Sequence, residues 1–271
     1  MITSEFQFKA PQTIKELFKE LHTHRDVAIL SGGHSLIGLH KSGAINPDAI
    51  ISVDRIESLK LINEKDDGAV EIGSSVSLAT LLDHHSIGKT FPALKKAIGT
   101  IGNRQYCNQT SIGDEFSYAS SSMGVLAVLL SHGATFEFSN GKEAMTVSHP
   151  EQKPKQSVLT AIHLQKYQGS VFVQEVTDPV SRLPLCGIAT MISGNPSQVQ
   201  AENFIVYGRE IIPSRLPAVE THIQEARSAT SIDPKIVGKA LTPAIKNSSA
   251  NPDYLTNLVC SFTKKAMQQV N

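Results

Sequence analysis

The apolar run Val27–Leu30 stops at Ser31 and two adjacent glycines, Gly32 and Gly33. A short apolar run bounded by turn residues reads as a buried strand. Glycine has no Cβ and takes positive φ at little cost. The chain leaving such a strand can therefore turn sharply and point successive backbone N–H groups into one concavity. A concavity of that kind holds a phosphate or diphosphate. The full stretch is Ser31-Gly32-Gly33-His34-Ser35-Leu36-Ile37-Gly38. It is neither GxGxxG nor GxxxxGK[ST], so neither the dinucleotide fingerprint nor a nucleoside-triphosphate loop is expected. An ordinary Gly-Gly turn is the plain alternative.

Around this feature the chain reads as alternating short elements. Residues 11–25 predict a helix: Pro11 suits a first turn, Thr13 and Glu16 have capping-box spacing, and Ile14, Leu17, Phe18 and Leu21 share a face. A strand is expected at 49–53, and a hairpin at 59–63 and 69–73 around Asp67-Gly68. Short helices follow at 78–85 and 92–98. The stretch 99–122 is rich in Gly, Asn and Ser. Its core, Ile101-Gly102-Asn103-Arg104-Gln105 and Asn108 to Glu115, could line a polar ligand or run over the surface as a loop. A buried helix is expected at 124–132 and a strand at 135–139. The polar, Pro-containing segment 148–157 reads as a lobe boundary or a long surface loop. Strands are then expected at 158–165, 171–176, 185–193 and 204–207, and amphipathic helices at 217–229 and 253–270. Strands followed by helices predict an α+β lobe with an antiparallel sheet.

Composition narrows the function. A chain of 271 residues suits about two lobes. The 25 Lys and Arg balance the 25 Asp and Glu, so no nucleic-acid partner is expected. Cys107, Cys186 and Cys260 form no CxxC and no even set. A disulfide framework, a zinc site and an iron–sulfur cluster held by this chain are therefore not expected. His84-His85 is a poor metal pair, because adjacent helical residues point apart. No GxSxG elbow supports a catalytic triad. The longest apolar stretch, 124–130, is too short for a membrane helix, and Met1 to Glu5 carry no secretory signal. The cytoplasm is the expected location, with no membrane partner.

Several motifs in one order carry a resemblance: SGGHSL (31–36), VDRI (53–56), EIGSSVSLATLL (71–82), FPALKKAIGTIGNRQYCNQTSIG (91–113) and VLAVLLSHGATFEF (125–138). The chain resembles the FAD-binding medium subunits of the molybdenum hydroxylases, the xanthine and carbon monoxide dehydrogenase family, over about 5–147. The likeness continues more weakly through 157–270, at GREIIPSRLP (208–217) and Tyr254-Leu255. It implies an α+β fold. A two-subdomain FAD-binding lobe of the PCMH-type, vanillyl-alcohol-oxidase-like class would occupy 1–150, divided near 55 and 56. An α+β C-terminal lobe would occupy 157–271. It also implies FAD as cofactor, with Ser31, Gly32, Gly33, His34, Ser35 and Leu36 wrapping its diphosphate. Ser111, Ile112, Gly113 and Asp114 would form the second loop. Molybdopterin-binding and iron–sulfur subunits would be partners, and NAD or another acceptor would receive the electrons.

The chain departs from the family pattern at four places. Asp114 stands where the family has a second glycine, which would set a negative charge near the diphosphate. Gly124 stands where an acid is usual, Gln174 near a usual lysine, and the run Gln105-Tyr106-Cys107-Asn108 lacks the usual arginine. These changes motivate a second expectation, a cofactor-free fold relative acting as a scaffold or small-ligand binder.

Overall fold

The three-dimensional structure is a computed structural model that describes residues 5–118, 123–167, 169–180, 183–195, 198–225, 232–245 and 248–269. Strands β1 (Gln7–Lys9), β2 (Val27–Leu30) and β3 (Ala49–Ser52) form a parallel sheet in the order β1-β3-β2. Helix α1 (Ile14–Thr23) joins the first two and α2 (His34–Lys41) joins the second pair. Every residue of the central strand β3 is buried, as a parallel strand covered on both faces requires. Its alternation assigns the faces: Ile51 packs with Leu17 and Leu21 of α1, and Ile50 with Leu36 of α2. Thr13 caps α1, its hydroxyl accepting the Glu16 N–H at 3.2 Å. Glu16 reaches past the cap to accept the Gln12 N–H at 2.8 Å.

The hairpin expected around Asp67-Gly68 forms as β4 (Ile62–Glu64) and β5 (Val70–Gly73). Leu59 precedes it in a short 3-10 turn, Glu57–Lys60. Five helices follow: α3 (Leu78–Asp83), α4 (His85–Thr90), α5 (Pro92–Ile101), α6 (Arg104–Gln109) and α7 (Ile112–Tyr118). The polar stretch after residue 99 is thus largely helical. Asn103 caps α6 by accepting the Tyr106 N–H at 2.9 Å. Helix α8 (Met123–Ser131) is the expected apolar helix. Strands β6 (Thr135–Ser139), β7 (Ala144–Val147) and β8 (Val158–Leu164) complete a five-stranded antiparallel sheet in the order β4-β5-β8-β6-β7.

This sheet corrects the expected lobe boundary. Segment 148–157 joins β7 to β8 within one sheet, so it does not separate lobes. β8 is almost wholly buried, and its backbone needs partners on both edges. β5 and β6 supply them. The chain divides into two compact units: Met1–Ala119 with Ala134–Lys166, and Ser120–Gly133 with Tyr167–Asn271. The first unit therefore runs to Lys166 rather than to residue 150, and α8 belongs to the second.

In the second unit, β9 (Ser170–Thr177), β10 (Pro184–Asn195), β11 (Gln198–Gly208) and β12 (Ile211–Arg215) form an antiparallel sheet in the order β12-β11-β10-β9. Cys186, Ile188, Phe204 and Val206 point to one face. There they pack with residues of α9 (Pro217–Glu225), α10 (Pro234–Leu241) and α11 (Pro252–Met267). Gly187 and Tyr207 point to the other face, toward α8. Residues Val125 to Leu130 of α8 are all buried, which is why that helix is apolar on every side. Among the described residues, no helix is long and apolar enough to cross a membrane.

Candidate functional site

Parallel pairing of β2 with β3, Val27↔Ala49 through Leu30↔Ser52, sets their C-terminal ends side by side. Ser31–Gly33 leaves one strand and Val53–Asp54 the other, so both loops open on the same edge of the sheet. Two further segments close over that edge. Residues 74–77 leave β5, and 108–111 run from the end of α6 toward α7. They are stitched together by Leu78 N–H to Thr110 O and Ile112 N–H to Val76 O, both 2.9 Å, with a bridge between Ser77 and Ser111. The cleft between them, open to solvent, has a volume of about 400 Å³.

Gly32 forms part of its wall in the left-handed conformation, φ +77°. A Cβ there would sit 1.6 Å from the Gln109 carbonyl oxygen, so no side chain fits. Gly33 (φ +87°) is the N-cap of α2. The cleft is otherwise hydroxyl- and amide-lined, by Ser31, Ser75, Ser77, Thr80, Asn108, Gln109, Thr110 and Ser111, with Val76 the one apolar member. The Ser31 hydroxyl donates to Ser75 Oγ at 3.3 Å. Two charged residues line it, Asp54 and Lys60. Asp54 Oδ1 accepts the Gly32 N–H at 3.0 Å, and Oδ2 accepts the Ser52 hydroxyl at 2.9 Å. Lys60 Nζ lies 2.9 Å from Glu57 Oε1 on the exposed side. Thr110 is fully buried, and its Oγ1 has no hydrogen-bond partner among the described residues.

The expected site residues divide. Ser31, Gly32 and Ser111 line the cleft. Gly33 is buried at the head of α2 and Leu36 is 0% exposed in the core. The side chains of His34 and Ser35 lie outside the described residues. Ile112 is fully buried. Gly113 is needed for packing: its N–H donates to Ser74 O at 2.9 Å, where a Cβ would approach to 2.7 Å. Asp114 lies apart from these. It is 2% exposed in the first turn of α7 and does not line the cleft. A carboxylate in a first turn suits the positive end of the helix dipole. The negative charge that does face the cleft is Asp54.

The rest of the polar stretch serves structure. Arg104 pairs with Asp83 at the surface, donating from Nη1 at 2.8 Å, and this holds the Asp83 carboxyl below its usual range. The Tyr106 hydroxyl donates to the buried Glu115 carboxylate. Burial pushes the Cys107 thiol up. Gly124 opens α8 in the second unit, where a Cβ would lie 3.5 Å from Tyr207 Cε2 and 3.7 Å from Glu175 Oε2. Gln174 donates to the Glu175 carbonyl at 3.4 Å. Among the described residues no cluster of His, Cys, Asp and Glu is arranged to hold a metal ion.

Comparison with known proteins bears on this geometry. The glyceraldehyde dehydrogenase medium chain of Sulfolobus acidocaldarius is 27% identical over 147 residues, 54% of this chain and 52% of that protein. The carbon monoxide dehydrogenase medium chain of Hydrogenophaga pseudoflava is 29% identical over 119 residues, 44% of this chain and 41% of that one. In these alignments the chain spans about half the length of its relatives or less. Fold similarity extends further. Quinoline 2-oxidoreductase from Pseudomonas putida 86 superposes with a TM-score of 0.82 at 16% identity, covering 100% of this chain and 98% of the other. Carbon monoxide dehydrogenase of H. pseudoflava gives 0.80 at 20% identity with the same coverage. Residues 4–164, more than half of the chain, match the family described as FAD binding domain in molybdopterin dehydrogenase. A glycine-walled, hydroxyl-rich cleft at the end of a parallel sheet, carried on this fold and within that match, makes the chain a member of the molybdopterin-dehydrogenase FAD-binding domain family, with FAD as its cofactor.

Proposed function

We propose that this chain is the FAD-binding subunit of a molybdenum hydroxylase-type dehydrogenase complex. Its partners would be a molybdopterin-binding subunit and an iron–sulfur subunit, and NAD or another acceptor would take the electrons. The observation that carries the reading is Gly32. Its left-handed backbone is pressed so closely on the Gln109 carbonyl that a side chain is impossible, which leaves bare main chain as the cleft wall. The residues fit a dinucleotide diphosphate. Amides of Gly33 and the first turn of α2 would hold the phosphates, and Ser31 and Ser111 would add hydroxyls from the two sides. Bound FAD supplies the two-electron and one-electron redox chemistry, and the protein contributes placement and electrostatics. No general base is required of this chain.

Titration of the purified full chain with FAD, followed by calorimetry and flavin absorbance, tests the reading. One FAD per chain is expected, and Gly32→Ala should take up none. A wild-type protein that binds no FAD at high concentration overturns it. Adding NAD to the chemically reduced holoprotein then separates the acceptors: return of the oxidised flavin spectrum supports NAD, and its absence supports another acceptor.

A further inference from the structure

Asn140 is the one asparagine of the sequence that a glycine follows. The pair forms the tip between β6 and β7, with Gly141 exposed in the left-handed conformation, φ +86°. A Cβ at 141 would lie 2.6 Å from Phe18 Cγ on α1, so packing within the first unit keeps a glycine there. Asn140 is held as firmly. Its Oδ1 accepts the Lys142 and Glu143 N–H groups, both at 2.9 Å, and its own N–H donates to Glu143 O at 3.2 Å. The Gly141 N–H donates to Ser139 Oγ at 3.1 Å, and the Ser139 hydroxyl donates onward to the Glu143 carbonyl at 3.1 Å.

We infer that Asn140 is a site of self-catalysed deamidation, promoted by the folded turn. The Gly141 nitrogen and Asn140 Cγ can close a five-membered ring, and an attack within one chain needs no encounter of separate molecules. Glycine leaves that nitrogen unshielded by a side chain. The attack places negative charge on Oδ1, where two backbone donors already point. Ser139 Oγ accepts the N–H whose proton must leave. Solvent base takes that proton as the bond from nitrogen to Cγ forms. The Cγ–Nδ2 bond then breaks, and Nδ2 takes a proton from water and departs as ammonia. Water opens the cyclic imide. Hydrolysis at Cγ restores the main chain with an aspartate at 140, and hydrolysis at the main-chain carbonyl leaves an isoaspartate. One water is consumed and one ammonia released, with no oxidant or reductant. The formally neutral chain gains one negative charge. An aspartate keeps an acceptor for the Lys142 and Glu143 amides. An isoaspartate adds a carbon to the main chain beside the Ser139↔Ala144 pair and displaces Gly141 from Phe18.

The test is incubation of the folded full chain at mildly alkaline pH. The readouts are ammonia release, ion-exchange separation of the charge variants and peptide mapping across residue 140. Aspartate and isoaspartate should appear at 140 before any other asparagine is converted. Ser139→Ala should react about tenfold more slowly, the loss expected for one hydrogen bond to a group developing charge. Asn140→Gln, whose extra methylene forbids the five-membered ring, should release no ammonia from this position. Asn140→Asp provides the charge standard and should unfold at the same urea concentration as wild type. An equal or faster rate in Ser139→Ala overturns the inference, because the turn would then shield the amide rather than promote its loss. An Asn140 that stays intact in the folded chain while the urea-unfolded chain is converted overturns it as well.

Discussion

The Tyr207 hydroxyl donates to Glu175 Oε2 at 2.8 Å, across the bare Cα of Gly187. Gly187 on β10 is the register partner of Tyr207 on β11 and of Glu175 on β9. The two side chains meet over the middle strand only because it has none there. A Cβ at 187 would lie 2.5 Å from Tyr207 Cζ and 2.9 Å from Glu175 Cβ. Burial, and then the Glu175 charge, hold the Tyr207 phenol well above its usual range. The pair is thus a neutral donor locked to a carboxylate. Gly187→Ala should lose about 2–3 kcal/mol through overpacking. Tyr207→Phe should lose about 1–2 kcal/mol by removing the donor to the carboxylate. Urea midpoints of the two variants measure both. A Gly187→Ala protein as stable as wild type would show that the strand yields more than its spacing allows.

Asp54 gives the second prediction. It lines the proposed diphosphate site with a negative charge, yet Oδ1 holds the Gly32 amide. Asp54→Asn keeps an oxygen acceptor and removes the charge. Two like charges about 4 Å apart repel by about 1 kcal/mol in water, which is about fivefold in affinity. Asp54→Asn should therefore bind FAD severalfold more tightly. Asp54→Ala, which frees the Gly32 amide and loosens the loop, should bind it more weakly. Calorimetric FAD titrations of the two variants check the order; weaker binding by Asp54→Asn would mean that the charge itself supports the site.

Asp54 also marks the limit of what the sequence makes legible. Strands and helices with a strong local period are readable, as Val27–Leu30 and the apolar α8 are. The glycine loop is readable because its conformational demand is local. Asp54 reaches the cleft only because β2 and β3 are parallel neighbours, and pairing between residues 22 apart leaves no local mark. Alignment of Asp114 with a glycine says nothing of where a helix turns its side chains. Strand β12 was obscured by Pro213, which an edge strand tolerates. Beside Gly124 a Cβ would meet Tyr207 and the Glu175 carboxylate at ordinary contact distance, so space alone does not demand a glycine there. The boundary at 148–157 failed because a polar loop within a sheet has the same composition as a linker.

Glu220 makes the third prediction. It is 7% exposed on α9. Its Oε1 accepts the buried Phe204 N–H and Arg215 Nε, and Oε2 accepts Arg215 Nη2, all at 2.8 Å. The carboxylate holds the Arg215 guanidinium above its usual range. Removing the acid strands a backbone donor at a residue that is 0% exposed. Glu220→Ala should cost about 2–3 kcal/mol, and Arg215→Ala, which leaves the Phe204 bond intact, about 1 kcal/mol. Chemical denaturation of the two variants should reproduce that inequality. Equal losses would mean that the ion pair, and not the backbone bond, carries the stability.

His132 sets the fourth prediction, a pH dependence. It follows α8 in the second unit and is 6% exposed. Burial pushes its imidazole down from 6.5 to about 4. The unfolded chain takes up a proton below 6.5, and the folded chain does not until about 4. Unfolding therefore binds a proton in this window, and stability must rise with pH across it. The contribution is fully present above 6.5, falls as the pH drops from there, and is gone below about 4. That fall from 6.5 to about 4 corresponds to about 3 kcal/mol. His132→Gln removes this titration and leaves the carboxylates untouched. Urea unfolding between pH 7 and pH 4 should show wild type losing about 3 kcal/mol more than the variant. Parallel stability curves for the two proteins would mean that the imidazole titrates alike in the folded and unfolded chains.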